Sequence, residues 1–172
     1  MARNAWQVIA NIIWAVTSSL LFLLTQDEIF ILFFIAFVAA VTADTWASEI
    51  GPLLNKRCFS LSTMRTAPAG TNGGISFFGS VAALAGATII SSLAYYLFFG
   101  TWQWDMIAIL SASAFLACFM DSLLGAFVED KLLRLNYFKR RKRSESITPN
   151  DVVNMVGSVT AFLFYLLLSW IF

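Results

Sequence analysis

Residues 29–48 read IFILFFIAFVAAVTADTWAS, an unbroken apolar run from Ile29 to Val41 followed three residues later by a carboxylate, Asp44. About twenty such residues, wound as a helix, cross a hydrocarbon core of ~30 Å. A helix is also one of the few structures that satisfies its own backbone polar groups in lipid. Working outward from this stretch, comparable runs occur near 6–25, 75–99, 106–128 and 150–172, which makes about five transmembrane helices. The composition agrees, because 59% hydrophobic and 12% charged residues lie far outside the soluble range. The expected fold is an all-α polytopic membrane helix bundle, a single transmembrane domain over residues 1–172. The run 6–25 has no strong basic flank and no small-residue cleavage site, so it is read as a retained helix rather than a cleaved signal.

Orientation follows from the basic residues. Arg3 precedes the first helix, Lys56, Arg57 and Arg65 lie between the second and third, and Lys131 through Arg143 lie between the fourth and fifth. The opposite connections hold only Asp27 and Glu28 in one and Asp105 in the other. Under the positive-inside rule the amino terminus is cytoplasmic, the carboxyl terminus is outside, and 49–74 and 129–149 are cytoplasmic loops. The expected location is the cell inner (plasma) membrane. Trp14, Trp102, Trp104 and Trp170, with Tyr95 and Tyr96, fit interfacial aromatic anchors. The run Lys139–Arg143 reads as a topology signal facing anionic lipid, and no nucleic-acid partner is expected. Gly79, Ala83 and Gly86 are small residues that let a second helix approach.

Absences narrow the chemistry. The sequence has no histidine, which removes a Ser-His-Asp triad and a His-ligated zinc. Cys58 and Cys118 show no motif spacing and are read as unpaired. Catalysis is left to carboxylates, amides, hydroxyls, Lys, Arg and a hard cation.

Asp44 follows Glu28 by 16 residues, and Asp121 follows Asp105 by 16, in two helices that run the same way. At ~1.5 Å per residue both carboxylates sit about 24 Å in, toward the cytoplasmic face. An intramembrane carboxylate is costly enough that a buried functional site is its first reading. Thr45, Ser48 and Glu49 surround the first acid, and Ser122 and Gly125 follow the second. Carboxylates with neighbouring hydroxyls suit Mg²⁺, which is commonly shared between one or two carboxylates and substrate phosphates.

Two further segments lie on the same side. Gly70-Thr71-Asn72-Gly73-Gly74 precedes the third helix, where close-approaching amides and a positive helix end suit an anion. Thr148-Pro149-Asn150-Asp151 opens the fifth helix with a cap and a proline, which explains Asp151 structurally. Asn150 and Asn154 stand one turn apart, as ligand contacts or as hydrogen bonds between helices.

The blocks Ala43–Gly51, Pro68–Gly74, Asp121–Ala126 and Asn150–Asn154, in that order, resemble the integral membrane family of transmembrane protein 19 and phytyl-phosphate kinase. The resemblance implies phosphorylation of an isoprenoid monophosphate to its diphosphate, with Mg²⁺ and CTP or another nucleoside triphosphate. On that reading Asp44, Glu49 and Asp121 hold the metal and Arg65 neutralises developing charge. Thr45, Ser48, Gly70, Thr71, Asn72, Gly73, Gly74, Ser122, Asn150 and Asn154 would hold phosphate. The family is similar to membrane CTP-using transferases, so a CTP-dependent cytidylyltransferase acting on a lipid phosphate is an alternative. A cation-coupled transporter and a scaffold remain as other classes. Family members often carry further amino-terminal helices, so a homo-oligomer is a candidate way to complete the site.

Overall fold

The computed structural model describes residues 5–129 and 149–172. Arg3, the basic run Lys139–Arg143 and nearly all of the loop expected at 129–149 lie outside the described residues. Among the described residues five helices make up the bundle: α1 (Ala5–Thr25), α2 (Ile29–Leu54), α3 (Phe77–Phe99), α4 (Trp104–Leu124) and α5 (Pro149–Ile171). A π-helical turn, Gly125–Glu129, extends α4. Among the described residues four segments are long and apolar enough to cross a membrane, and α1 adds the shorter apolar Ile12–Thr25. The all-α polytopic bundle is therefore present.

Its centre is the helix on which the sequence reading turned. α2 packs against each of the other four helices. Ile35, Ala36, Ala39 and Ala43 of α2 are fully buried, facing Ala87 of α3, Leu110 and Ala114 of α4 and Ala161 of α5. Small side chains bring helix backbones together, which is how a bundle packs tightly in lipid without a hydrophobic drive between helices. Gly51 and Gly79 are a close case: a Cβ added at Gly51 would come 3.1 Å from the Gly79 Cα. Trp46 lies over Gly86, where an added Cβ would meet its ring at 3.2 Å. The outer faces carry Leu24, Leu97 and Trp170, all more than three-quarters exposed, as a lipid-facing surface requires.

Helix ends follow from local chemistry. Ser76 caps α3, its Oγ accepting from the Gly79 N–H at 3.1 Å. Gly100 ends the same helix in the left-handed region at φ 67°, a conformation that favours glycine. At that far end Trp102 stacks on Tyr96 and Trp104, as an interfacial belt would. Trp14 does something else: its Nε1 donates to the Met155 carbonyl at 2.9 Å and ties α1 to α5.

The segment 49–74 is more ordered than a loop. α2 continues to Leu54, and its last turn accommodates Pro52. Three short strands follow, β1 (Arg57–Ser60), β2 (Arg65–Pro68) and β3 (Gly74–Ile75), antiparallel in the order β2-β1-β3. Side chains alternate along β1, burying Cys58 and Ser60 and exposing Arg57 and Phe59. The sheet lies at the end of the bundle where α2 and α4 finish and α3 and α5 begin, with Cys58 and Gly74 facing the helix ends.

Candidate functional site

A cavity of about 320 Å³ opens at that end. Six parts of the chain supply its walls: the last turns of α2, Cys58 of β1, the turn leading into β3, the cap of α3, the end of α4 and the first turns of α5. Asp44 and Asp121 both border it, so the two carboxylates expected at a common depth do meet at one place. Both also border a narrow cleft beneath, together with Cys118, Asn154 and Ser158.

The helical repeat decides which neighbours of Asp44 join it. Asp44, Ala47, Ser48 and Gly51 are spaced by three and four residues, share one face of α2 and line the cavity, as does Thr45 at its edge. Glu49, five residues after Asp44, falls on another face, is exposed, and is not among the lining residues. The structure thus does not bring Glu49, expected as a third metal ligand, to the cavity wall. Asp121 and Ser122 line the cavity from α4, and Gly125 follows one turn later.

α5 lies directly on the second carboxylate. A Cβ at Gly157 would come 2.6 Å from the Asp121 Oδ1 and 3.1 Å from its Cβ. Asn154, one turn earlier on α5, lines the cavity, and the Asn150 side chain lies outside the described residues.

The glycine-rich segment folds into a compact turn around one carbonyl. The Pro68 oxygen accepts from the Thr71 N–H at 3.3 Å, the Thr71 Oγ1 at 2.7 Å and the Cys58 Sγ at 3.1 Å. The Gly74 N–H then closes on the Thr71 carbonyl at 2.9 Å. Gly70 and Gly73 hold positive φ, 83° and 65°. Among the described residues the Gly70, Asn72 and Gly73 amides have no backbone acceptor in this turn. All five residues from Gly70 to Gly74 border the cavity, and Ser76, at the positive end of α3, borders it too. Gly73 packs so closely on Ala126 of the π-helical turn that an added Cβ would overlap it.

Arg65 is the other departure. Its position in β2, paired with Ser60 beside the hairpin turn, is the end of the strand away from the cavity. Three residues of extended chain, about 10 Å, separate it from Pro68. Arg65 is exposed and does not line the site.

Sequence reasoning missed Ser76, Gly51, Cys58 and Gly157. The first had a signal, a serine directly before an apolar helix. Cys58 reaches the cavity wall only through strand pairing, and nothing in its spacing announced that.

The fold and site define a polytopic membrane protein with a polar, carboxylate-bearing cup at one end of its bundle. The chain belongs to the integral membrane protein DUF92 family, which it matches over residues 1–162. That agrees with the family resemblance read from its four sequence blocks. It is 31% identical over 134 residues to the uncharacterized membrane protein MJ0933 of Methanocaldococcus jannaschii, covering 77% of this chain and 50% of that one. It is 28% identical over 151 residues to the chloroplastic protein VTE6 of Arabidopsis thaliana, covering 84% and 41%. Protein PGR of the same plant is 34% identical over 100 residues, 53% of this chain and 35% of that one. The chain thus spans half or less of the length of these relatives. No solved structure matches it.

Proposed function

We propose that this protein transfers a phosphoryl group from a nucleoside triphosphate, CTP or another, to an isoprenoid monophosphate, forming a prenyl diphosphate at the cytoplasmic face of the inner membrane. The observation that carries the reading is the convergence of Asp44, Asp121 and the Gly70–Gly74 turn on one cavity at one end of the bundle. Carboxylates and an amide-rich turn are opposite in electrical character. A cavity that holds both suits a phosphate neutralised by a divalent cation.

The donor set fits Mg²⁺. No cluster of three or more His, Cys, Asp or Glu is present among the described residues, so a cage built from protein alone is not offered. Two carboxylates with nearby hydroxyls match the way Mg²⁺ is held when phosphates complete its shell. Asp44 and Asp121 would hold the ion, with Thr45, Ser48 and Ser122 at its margin, and the ion would supply charge neutralisation. The Gly70–Gly74 amides, Asn154 and the α3 terminus would bind and orient phosphate oxygens. Phosphoryl transfer demands mainly positioning and electrostatic stabilisation, which these groups supply without a histidine. The attacking atom is an oxygen of the prenyl monophosphate, and the leaving group is the nucleoside diphosphate.

The test is purified protein with Mg²⁺, a panel of nucleoside triphosphates and a panel of prenyl monophosphates. Prenyl diphosphate and nucleoside diphosphate are expected in equal amounts. Release of pyrophosphate with a cytidylylated lipid would instead assign cytidylyl transfer to the same cavity. Cation flux in proteoliposomes, abolished by Asp44→Asn and by Asp121→Asn without any turnover, would replace both with transport.

A further inference from the structure

We propose that the groove between α3 and α4 holds the first part of a single isoprenoid chain and so selects one-chain lipid phosphates over two-chain ones. The inference rests on the phosphate-site reading above. A groove of about 100 Å³ leaves the polar cavity sideways, sharing Asp44, Ser48, Gly74, Ser76 and Ser122 with it. Beyond those residues its character changes. Ala83, Phe115 and Phe119 line it, with Ser80 on the α3 side. Ala83 lies seven residues into the helix that Ser76 caps, so the groove runs about 10 Å into the apolar layer. Phe119 is 42% exposed on the flank of α4, so the groove opens toward lipid and not toward the bundle axis.

A ligand that fills both compartments has a charged head and an apolar tail leaving it at an angle. The groove is too small to enclose a long chain, so the tail beyond Phe115 stays in the bilayer. It is one groove, walled by α3 and α4 with Asp44, Ala47 and Ser48 of α2 at its inner end, and its volume admits one chain. A diacyl phosphate brings a glycerol unit and the roots of two chains to the point where the groove leaves the polar cavity, and a groove of about 100 Å³ has room there for one. The chemistry selected is a single, flexible hydrocarbon chain bearing a terminal phosphate.

The experiment uses the full chain in nanodiscs with a geranylgeranyl monophosphate carrying a diazirine in its first isoprene unit. Photolysis followed by peptide mass spectrometry is expected to mark Ser80, Phe115 and Phe119. Unlabelled geranylgeranyl monophosphate should compete, and phosphatidate should compete at least tenfold less well. Ser80→Leu fills a half-buried position on the groove wall and should cut labelling at least tenfold. Phe119→Ala, at an exposed position that leaves packing intact, should move the label off α4. Labels confined to α1 or α5, or labelling unchanged in both variants, would overturn the inference. Because labelling needs no nucleotide, a groove that labels in a protein without turnover would sink the kinase reading alone. Turnover with an unlabelled groove would sink this proposal alone.

Discussion

Gly157 of α5 sits against Asp121 of α4 so closely that a single added carbon would come 2.6 Å from the carboxylate oxygen Oδ1. The absence of a side chain at Gly157 is thus what allows α5 to pack directly over the carboxylate. Gly157→Ala forces either the helix or the carboxylate to move, and overpacking of this kind costs about 1–3 kcal/mol. The expected outcome is a lower Tm in detergent and a loss of turnover at least tenfold, measured side by side. An unchanged Tm with full turnover would refute the contact.

The two positive-φ glycines of the turn separate conformation from packing. Gly70, at φ 83°, has open space around it, whereas Gly73, at φ 65°, meets Ala126. Gly70→Ala should cost only the left-handed backbone term, about 1–2 kcal/mol. Gly73→Ala adds a steric overlap with the π-helical turn. Thermal unfolding of the pair should place Gly73→Ala clearly below Gly70→Ala, and equal values would show that the contact with Ala126 yields freely.

Asp44→Asn and Asp121→Asn keep the shape of each side chain and remove its charge. If the pair holds Mg²⁺ against phosphate, each should lower turnover at least a hundredfold, and chelation of Mg²⁺ should abolish it in the parent. The elution profile in size exclusion should stay that of the parent. Activity retained within threefold in both variants would remove the carboxylates from the chemistry.

Arg65→Ala and Glu49→Gln provide the opposite control. Both residues carry charges that the sequence offered to the site, and both lie on exposed faces away from the cavity lining. Turnover of each variant should stay within about threefold, since substitutions on an exposed face away from such features usually change little. A hundredfold loss in Arg65→Ala would mean that β2 approaches the substrate in a way its register does not show.

The helices were legible because twenty apolar residues between polar breaks admit few other readings in lipid. The pairing of Asp44 with Asp121 was legible for the same reason, since equal spacing from the far boundary fixes equal depth. The sheet was not. Arg57–Ser60 and Arg65–Pro68 are only four residues each, and the pairing of Arg57–Ser60 with Gly74–Ile75 spans a distance in sequence that local pattern does not reveal. Without that register Arg65 looked close to the carboxylates. Gly157 was equally silent, because a glycine in a membrane helix is ordinary until its neighbour is known.

The tightly packed alanines of α2 have a consequence for the membrane as a whole. Below the cleft at Asp44 and Asp121 the bundle closes on Ala36, Ala39, Leu110, Ala114 and Ala161, each fully buried. Among the described residues this makes the polar opening a blind well and not a conduit. In this arrangement water that reaches the carboxylates stands at the floor of a pit. The protein therefore wets the membrane from one face to the depth of Asp44 and Asp121 and leaves the layer beneath them dry.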